Sequence, residues 1–125
     1  MAASIVDRLA PYGTVVEVGI GNRPDVAAAL SERGVSVTAT DVVERPVPPG
    51  VAFVRDDVTD PDHAVYADAA VVFAQRLPPE LQRPVVDVAR AADAACLFTT
   101  LGGDPAVVPA RPETVASGTL FVARG

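Results

Sequence analysis

Cysteine, lysine, histidine and tryptophan are scarce or missing in this sequence. A single cysteine, Cys96, excludes an internal disulfide and a cysteine-based zinc cluster, and we expect no metal site. All ten basic residues are arginine, and sixteen acidic residues leave a net charge of −6. An acidic surface repels phosphate backbones, so nucleic acid is not an expected partner.

Long apolar runs are also missing. None reaches the ~18 residues that a membrane-spanning helix needs, and no basic segment followed by an apolar core opens the chain. We therefore expect no membrane partner and no secretion, which places the protein in the cytoplasm. Half of the 125 residues are apolar but only 5% are aromatic. This predicts one domain over residues 1–125, with a Val- and Ala-rich core typical of a parallel sheet under helices.

Residues 14–24 combine an apolar run with a glycine turn. Glu17 lies just before the end of the run, Gly19 and Gly21 follow it, and Pro24 suits the first turn of a helix. Because glycine lacks a Cβ, the backbone can turn sharply and let a ligand lie against its N–H groups. The stretch predicts the first strand of an open α/β sheet and a ligand-binding turn.

The remaining pattern alternates strands with helices. We predict helices over residues 3–10, 24–33 and from 78 to about 92, with a short helix over 60–67. Strands are predicted over 14–18, 35–40, 51–54, 69–74, 95–101 and, isolated, 119–123, and a loop over 102–112. This order predicts an α/β fold. We expect a Rossmann-like, doubly wound, mostly parallel sheet of five to six strands with helices on both faces.

Acidic residues follow the second predicted strand, as Asp41, and the third, as Asp56 and Asp57. Ligands of open α/β sheets bind outside the carboxyl ends of the strands, where the strand order reverses. Asp41 lies 22 residues after Gly19, near the ~20-residue spacing at which an acid meets the hydroxyls of an adenosine ribose. A carboxylate accepts with two oxygens and fits a vicinal diol. We interpret Asp41 as a binding residue, the alternative being a strand-end acid that faces water.

This pattern resembles class I S-adenosylmethionine-dependent methyltransferases. The shared features are apolar-apolar-Glu-apolar-Gly-x-Gly, an acid after the second strand and Asp-Val-Thr after the third. The resemblance implies that Gly19 and Gly21 contact the methionine part of S-adenosylmethionine. It also implies that Glu17 lies close to the methionine amino group.

The same resemblance assigns the nucleoside half of the ligand. Asp41 would hold the ribose hydroxyls, and Asp57 would accept a hydrogen bond from the adenine amino group, with Val58 beside the ring. The short chain, with its Pro-rich residues 76–80, moreover resembles a small uncharacterised archaeal family that has such a core. The likeness covers about residues 14–101. It implies S-adenosylmethionine as cofactor and gives no methyl acceptor.

Beyond the cofactor, the sequence departs from the methyltransferase pattern. One strand is evident after strand five, where these enzymes usually add two antiparallel strands, so the fold is expected to be a reduced form. Residues 74–80 have neither the acid or asparagine that often stands before Pro-Pro in these enzymes nor an aromatic residue after strand four. His63 lies on a loop or short helix, and Cys96 is expected to pack as a small apolar residue. No general base is evident, and the catalytic residues remain unassigned.

Three functions therefore stay open. The first is a small methyltransferase or a methyltransferase-like protein that binds S-adenosylmethionine. The second is a non-catalytic nucleotide-binding or interaction module, which forms a homodimer or binds a protein through the sheet edge after strand five. The third is NAD binding, disfavoured because Pro24 stands where a dinucleotide fingerprint has a third glycine. Arg23 either holds a ligand carboxylate or faces solvent.

Overall fold

The computed structural model describes residues 2–124, which form a seven-stranded sheet. Its strands are β1 Thr14–Val18, β2 Ser36–Asp41, β3 Val51–Arg55, β4 Val71–Ala74, β5 Ala95–Phe98, β6 Ala110–Val115 and β7 Gly118–Ala123. The α-helices are α1 Ile5–Leu9, α2 Asp25–Glu32 and α3 Pro79–Ala91, with 3-10 turns at Ala10–Tyr12 and His63–Val65. Across the sheet the order is β3-β2-β1-β4-β5-β7-β6. The first five strands are parallel, and β7 is inserted antiparallel between β5 and β6.

The predicted doubly wound α/β fold is confirmed. Two apolar cores lie on opposite faces of the sheet because neighbouring residues of a strand point to opposite sides. Val15 packs in the cluster that contains Leu30 of α2, whereas Val16 packs in the cluster that contains Val85 of α3. All four residues of β4 are buried, as expected for a parallel strand covered on both faces.

The sheet has seven strands instead of the predicted five to six, because the sequence predicts a loop over 102–112 and misses β6. This strand lies at the edge of the sheet, carries Pro112 opposite Phe121, and shows little of the alternation that marks a half-buried strand. The strand predicted to be isolated, now β7, pairs with both β5 and β6. The expected reduced sheet is therefore wrong, and both antiparallel strands are present.

The crossover between β3 and β4 also differs from the prediction. Instead of a helix over 60–67, it contains only the 3-10 turn His63–Val65, whose N–H at Ala64 donates to the Asp62 side chain at 3.1 Å.

The edge of β5, expected to be open, is occupied by β7, so β3 and β6 are the edge strands. The homodimer stays a prediction. None of the helices formed by residues 2–124 has the length and apolar character that a membrane crossing demands.

Candidate functional site

The strand order reverses between β1 and β4, and the glycine turn lies at the carboxyl end of β1. Gly19 and Gly21 have φ angles of 68° and 56°, in the left-handed region that glycine enters without strain. A Cβ added to Gly19 would meet no atom within 4 Å. Glycine is therefore needed at this position for its backbone conformation, and the space beside the turn is open.

Hydrogen bonds already occupy the N–H groups of this turn. Those of Gly19 and Ile20 donate to the carbonyl of Thr40 at 2.9 and 3.0 Å, and that of Gly21 donates to Asp41 Oδ2 at 2.8 Å. The turn is thereby fixed to the end of β2. The expectation of a ligand that accepts from these N–H groups is not met in this conformation.

Asp41 is buried, with 8% of its surface exposed, so it is not an acid that simply faces water. Its Oδ1 accepts from the N–H groups of Val42 at 2.8 Å and Val43 at 3.5 Å, in addition to the bond from Gly21 to Oδ2. Arg45 Nε lies 3.4 Å from Oδ2 without forming a hydrogen bond. Because a carboxylate offers about four lone-pair sites, Asp41 retains acceptor capacity chiefly at Oδ2.

A cavity of about 170 Å³ opens beside Asp41. Its lining comprises Val18, Gly19, Asp41, Val42, Asp56, Asp57, Val58 and Leu81. Four of the six predicted site residues therefore meet in one place, while Glu17 and Gly21 lie outside this lining. The cavity is smaller than the ~300–1,000 Å³ of most ligand pockets. Its size suits one end of an extended ligand whose other end lies along the open turn.

The two aspartates after β3 have different surroundings. Asp56 accepts from the Tyr66 hydroxyl at 2.6 Å with one oxygen and from the N–H of Asp62 at 2.9 Å with the other. Asp57 accepts from the hydroxyl of Thr59 at 2.6 Å and from its N–H at 2.9 Å, both through Oδ1. These two bonds hold the pKa of Asp57 below its usual value. Its Oδ2 accepts from no residue that the structure describes, which leaves Asp57 the better placed of the two to bind a ligand.

Glu17 is buried beneath the turn, with 1% of its surface exposed. Its Oε2 accepts from Gln75 Nε2 at 2.9 Å, while Oε1 has no hydrogen-bond partner in the described part of the chain. Burial raises the pKa of Glu17 to about 7, against the opposing effects of the Gln75 hydrogen bond and the Arg23 charge. Arg23 is half-buried and its Nε has no partner among residues 2–124. Arg23 is thus partly withdrawn from solvent, and its charge acts on Glu17 without a hydrogen bond or ion pair between the two.

Several site residues escaped the sequence analysis. Val42 and Leu81 line the cavity, and Gln75 donates to Glu17. Val42 adjoins Asp41, which was predicted, so that proximity was the available signal. Asp56, identified from the sequence only as a strand-end acid, lines the cavity as well. Gln75 could be found only from the register, which aligns the end of β4 with that of β1 through the pair Val18 and Ala74.

Two residues singled out from the sequence lie elsewhere. His63 lines a neighbouring cavity of about 280 Å³, which shares Val58 with the first and is also lined by Thr59 and Asp87. Cys96 is buried in β5, and burial raises the pKa of its thiol to about 12, consistent with a packing role. In the chain from residue 2 to 124, no group of three or more His, Cys, Asp or Glu side chains is arranged to hold a metal ion.

Comparison with known sequences identifies the family. The sequence model of UPF0146, described as an uncharacterised protein family, matches residues 1–125. The chain belongs to the UPF0146 family. A UPF0146 protein of Halobacterium salinarum is 67% identical, over 93% of this chain and 91% of its own length. The UPF0146 protein of Archaeoglobus fulgidus is 49% identical, over 74% of this chain and 71% of its own length. The predicted membership of a small uncharacterised archaeal family is confirmed.

The solved structures similar to this UPF0146 chain include two methyltransferases. An RNA methyltransferase from Salinibacter ruber, in complex with S-adenosyl-L-homocysteine, has a TM-score of 0.62 at 15% identity and covers 95% of this chain and 88% of its own. A 1,6-didemethyltoxoflavin-N1-methyltransferase from Burkholderia thailandensis, with bound S-adenosylhomocysteine, has a TM-score of 0.51 at 22% identity. It covers 94% of this chain and 62% of its own. At these identities the likeness concerns the fold, which is Rossmann-like and methyltransferase-like.

Proposed function

We propose that this UPF0146 protein binds S-adenosylmethionine in the crevice at the ends of β1 and β2. The observation that carries the proposal is the hydrogen bonding of the glycine turn. The N–H groups of residues 19–21 already donate within the protein, whereas Glu17 Oε1 is buried without a partner among the described residues. The crevice therefore offers acceptors and negative charge. This suits a ligand with an ammonium and a sulfonium group, since buried charges and polar groups need partners.

The residues present fit such a ligand along its length. Glu17 would face the ammonium group and Gly19 the methionine chain, because nothing fills the space beside that glycine. Asp41 would use its remaining acceptor capacity at Oδ2 for the ribose hydroxyls, and Asp57 Oδ2 would accept from the adenine amino group. Val58, which is buried in the cavity lining, would pack beside the ring.

NAD is less well supported as a ligand. A pyrophosphate needs hydrogen-bond donors at the glycine turn, and in this chain those N–H groups are engaged. The antiparallel β7 beside β5 also departs from the 3-2-1-4-5-6 strand order typical of dinucleotide-binding sheets.

The proposal extends to methyl transfer. When bound, the cofactor would supply an electrophilic methyl group, and S-adenosylhomocysteine would leave as the neutral thioether. The chain's own contribution is to hold the acceptor in line with that methyl group and to exclude water, which can supply much of a rate acceleration. No catalytic residue is assigned. A non-catalytic S-adenosylmethionine-binding module is the alternative.

Calorimetric titration with S-adenosylmethionine, S-adenosylhomocysteine and NAD, in parallel and in high salt, tests the cofactor. We expect micromolar dissociation constants for the first two and no heat of binding for NAD. Failure of the folded protein to bind either of the first two would refute the proposal. Equally tight NAD binding would refute the reasoning from the glycine turn.

A further inference from the structure

Arg76, at the carboxyl end of β4, has an unusual backbone conformation. Its φ angle of 50° makes it one of two non-glycine residues with positive φ in the described chain, the other being Asp93. The N–H of Arg76 donates to Thr99 Oγ1 at 2.9 Å, and that of Leu77 donates to the Thr99 carbonyl at 2.8 Å. Left-handed conformations of bulky residues are strained, persist only where neighbouring groups fix them, and cluster at ligand sites.

The position of Arg76 links it to the proposed cofactor site. It follows Gln75 directly, whose amide donates to Glu17, and β4 adjoins β1 where the strand order reverses. The Arg76 side chain is exposed and forms no ion pair with any residue that the structure describes. It is one of six arginines that form no ion pair in the described chain, and among the arginines the one with a left-handed backbone.

Beyond Arg76 lies the loop after β5. It begins with Thr99, the residue that fixes Arg76, and contains Leu101 and Val107, each 58% exposed. These are the most exposed large apolar side chains among residues 2–124. The loop is held to α3 by Gln82, whose Oε1 accepts from the N–H of Val107 at 2.7 Å. A cation, hydroxyl groups and two exposed apolar side chains thus follow the ends of neighbouring strands.

We infer that Arg76 binds an anionic group, a carboxylate or a phosphate, of the methyl acceptor. The apolar part of the acceptor would lie against Leu101 and Val107. The inference rests on the proposed function, because it assigns the acceptor beside the methionine end of the cofactor. A guanidinium group pairs with carboxylate and phosphate through two parallel hydrogen bonds, which gives orientation as well as affinity. The hydrogen bonds from residues 76 and 77 to Thr99 fix the backbone from which this group extends.

Titration of the full ¹⁵N-labelled chain by NMR tests the inference. The protein is saturated with S-adenosylhomocysteine and titrated with inorganic phosphate and, separately, with acetate, at constant ionic strength. Arg76→Gly removes the cation and suits the positive φ. Asp93→Gly is the matched backbone control at the amino end of β5, and Arg90→Gln is the matched charge control on exposed α3 surface.

We expect saturable shifts of the Thr99 and Thr100 amide signals in the wild type. The binding should weaken at least tenfold in Arg76→Gly and be unchanged in both controls. The anion that saturates at the lower concentration identifies the group as phosphate or carboxylate.

Non-saturating shifts, or equal affinity in Arg76→Gly, would overturn the inference. If S-adenosylhomocysteine binds by calorimetry in that case, the proposed cofactor site still stands. If S-adenosylhomocysteine does not bind at all, the acceptor role falls together with the proposed function, whatever the phosphate signals do.

Discussion

Glu17→Gln isolates the energetic effect of an acid buried beneath the glycine turn. Glutamine keeps the size of the side chain and an oxygen that can accept from Gln75, but it cannot ionise. In the wild type, burial raises the pKa of Glu17 from 4.5 to about 7. The folded state therefore binds this proton more tightly than the unfolded chain does.

The sign and size of the effect follow from linkage. For an acid with a raised pKa, stability is fully present below the unfolded value of 4.5 and is lost as pH rises through the folded value of about 7. Each unit of pKa shift corresponds to about 1.4 kcal/mol, so complete ionisation of Glu17 costs the folded state about 3 kcal/mol. Most of that loss falls between pH 5 and pH 8.

Urea unfolding at pH 5 and at pH 8, at constant salt, measures this effect. Relative to Glu17→Gln, the wild type should lose about 2–3 kcal/mol of unfolding free energy between the two pH values. The difference between the two proteins cancels the titration of other groups. Glu32→Gln, on the exposed side of α2, serves as control. The difference in unfolding free energy between this variant and the wild type should be the same at both pH values. A wild-type-to-variant difference that is the same at both pH values would refute the raised pKa.

Three further substitutions test the turn and its surroundings. Asp41→Ala should weaken S-adenosylmethionine binding by about 1.5–3 kcal/mol, ten- to a hundredfold in calorimetry. An exposed acid changed in the same way, Asp25→Ala, should have no effect, and equal affinities for the two variants would remove Asp41 from the site. Gly19→Val should abolish binding by filling the open space, whereas Gly34→Val, equally strained at φ 81°, should only lower the melting temperature. Binding by folded Gly19→Val contradicts the turn assignment. Gln82→Leu removes the acceptor of the Val107 N–H. It should lower the unfolding free energy in urea by about 1 kcal/mol and speed hydrogen exchange in the loop after β5. Unchanged exchange in that loop would argue against this anchor.

The sequence predicted the buried part of the sheet better than its rim. β4 is apolar on both faces and β1 is apolar except for Thr14 and Glu17, and burial on both sides leaves a signal that needs no tertiary information. β6 pairs only with β7, so most of its residues are exposed, and it carries charged side chains and Pro112. Its existence depends on that partner rather than on its own residues.

The candidate site shows the same division. The spacing from Gly19 to Asp41 could be recognised in the sequence, and the structure joins the turn and that acid through the Gly21 N–H. The contact between Glu17 and Gln75 could not be predicted from the sequence, since it depends on the register of β1 against β4. The engagement of the turn N–H groups was equally hidden, because the carbonyl of Thr40 that accepts two of them belongs to another strand.

The proline in β6 also limits how copies of this chain can associate. Val115 pairs with Gly118 across a two-residue turn, and hydrogen-bonded and non-hydrogen-bonded pairs alternate from there, so Pro112 and Phe121 form a non-hydrogen-bonded pair. At such a pair the edge residue directs its N–H outward, and proline has none to offer. An incoming strand would miss a donor and meet the charges of Arg111 and Glu113, which is how sheet edges resist open-ended growth into fibres. A homodimer built by strand addition would therefore form at β3, on the opposite side of the molecule.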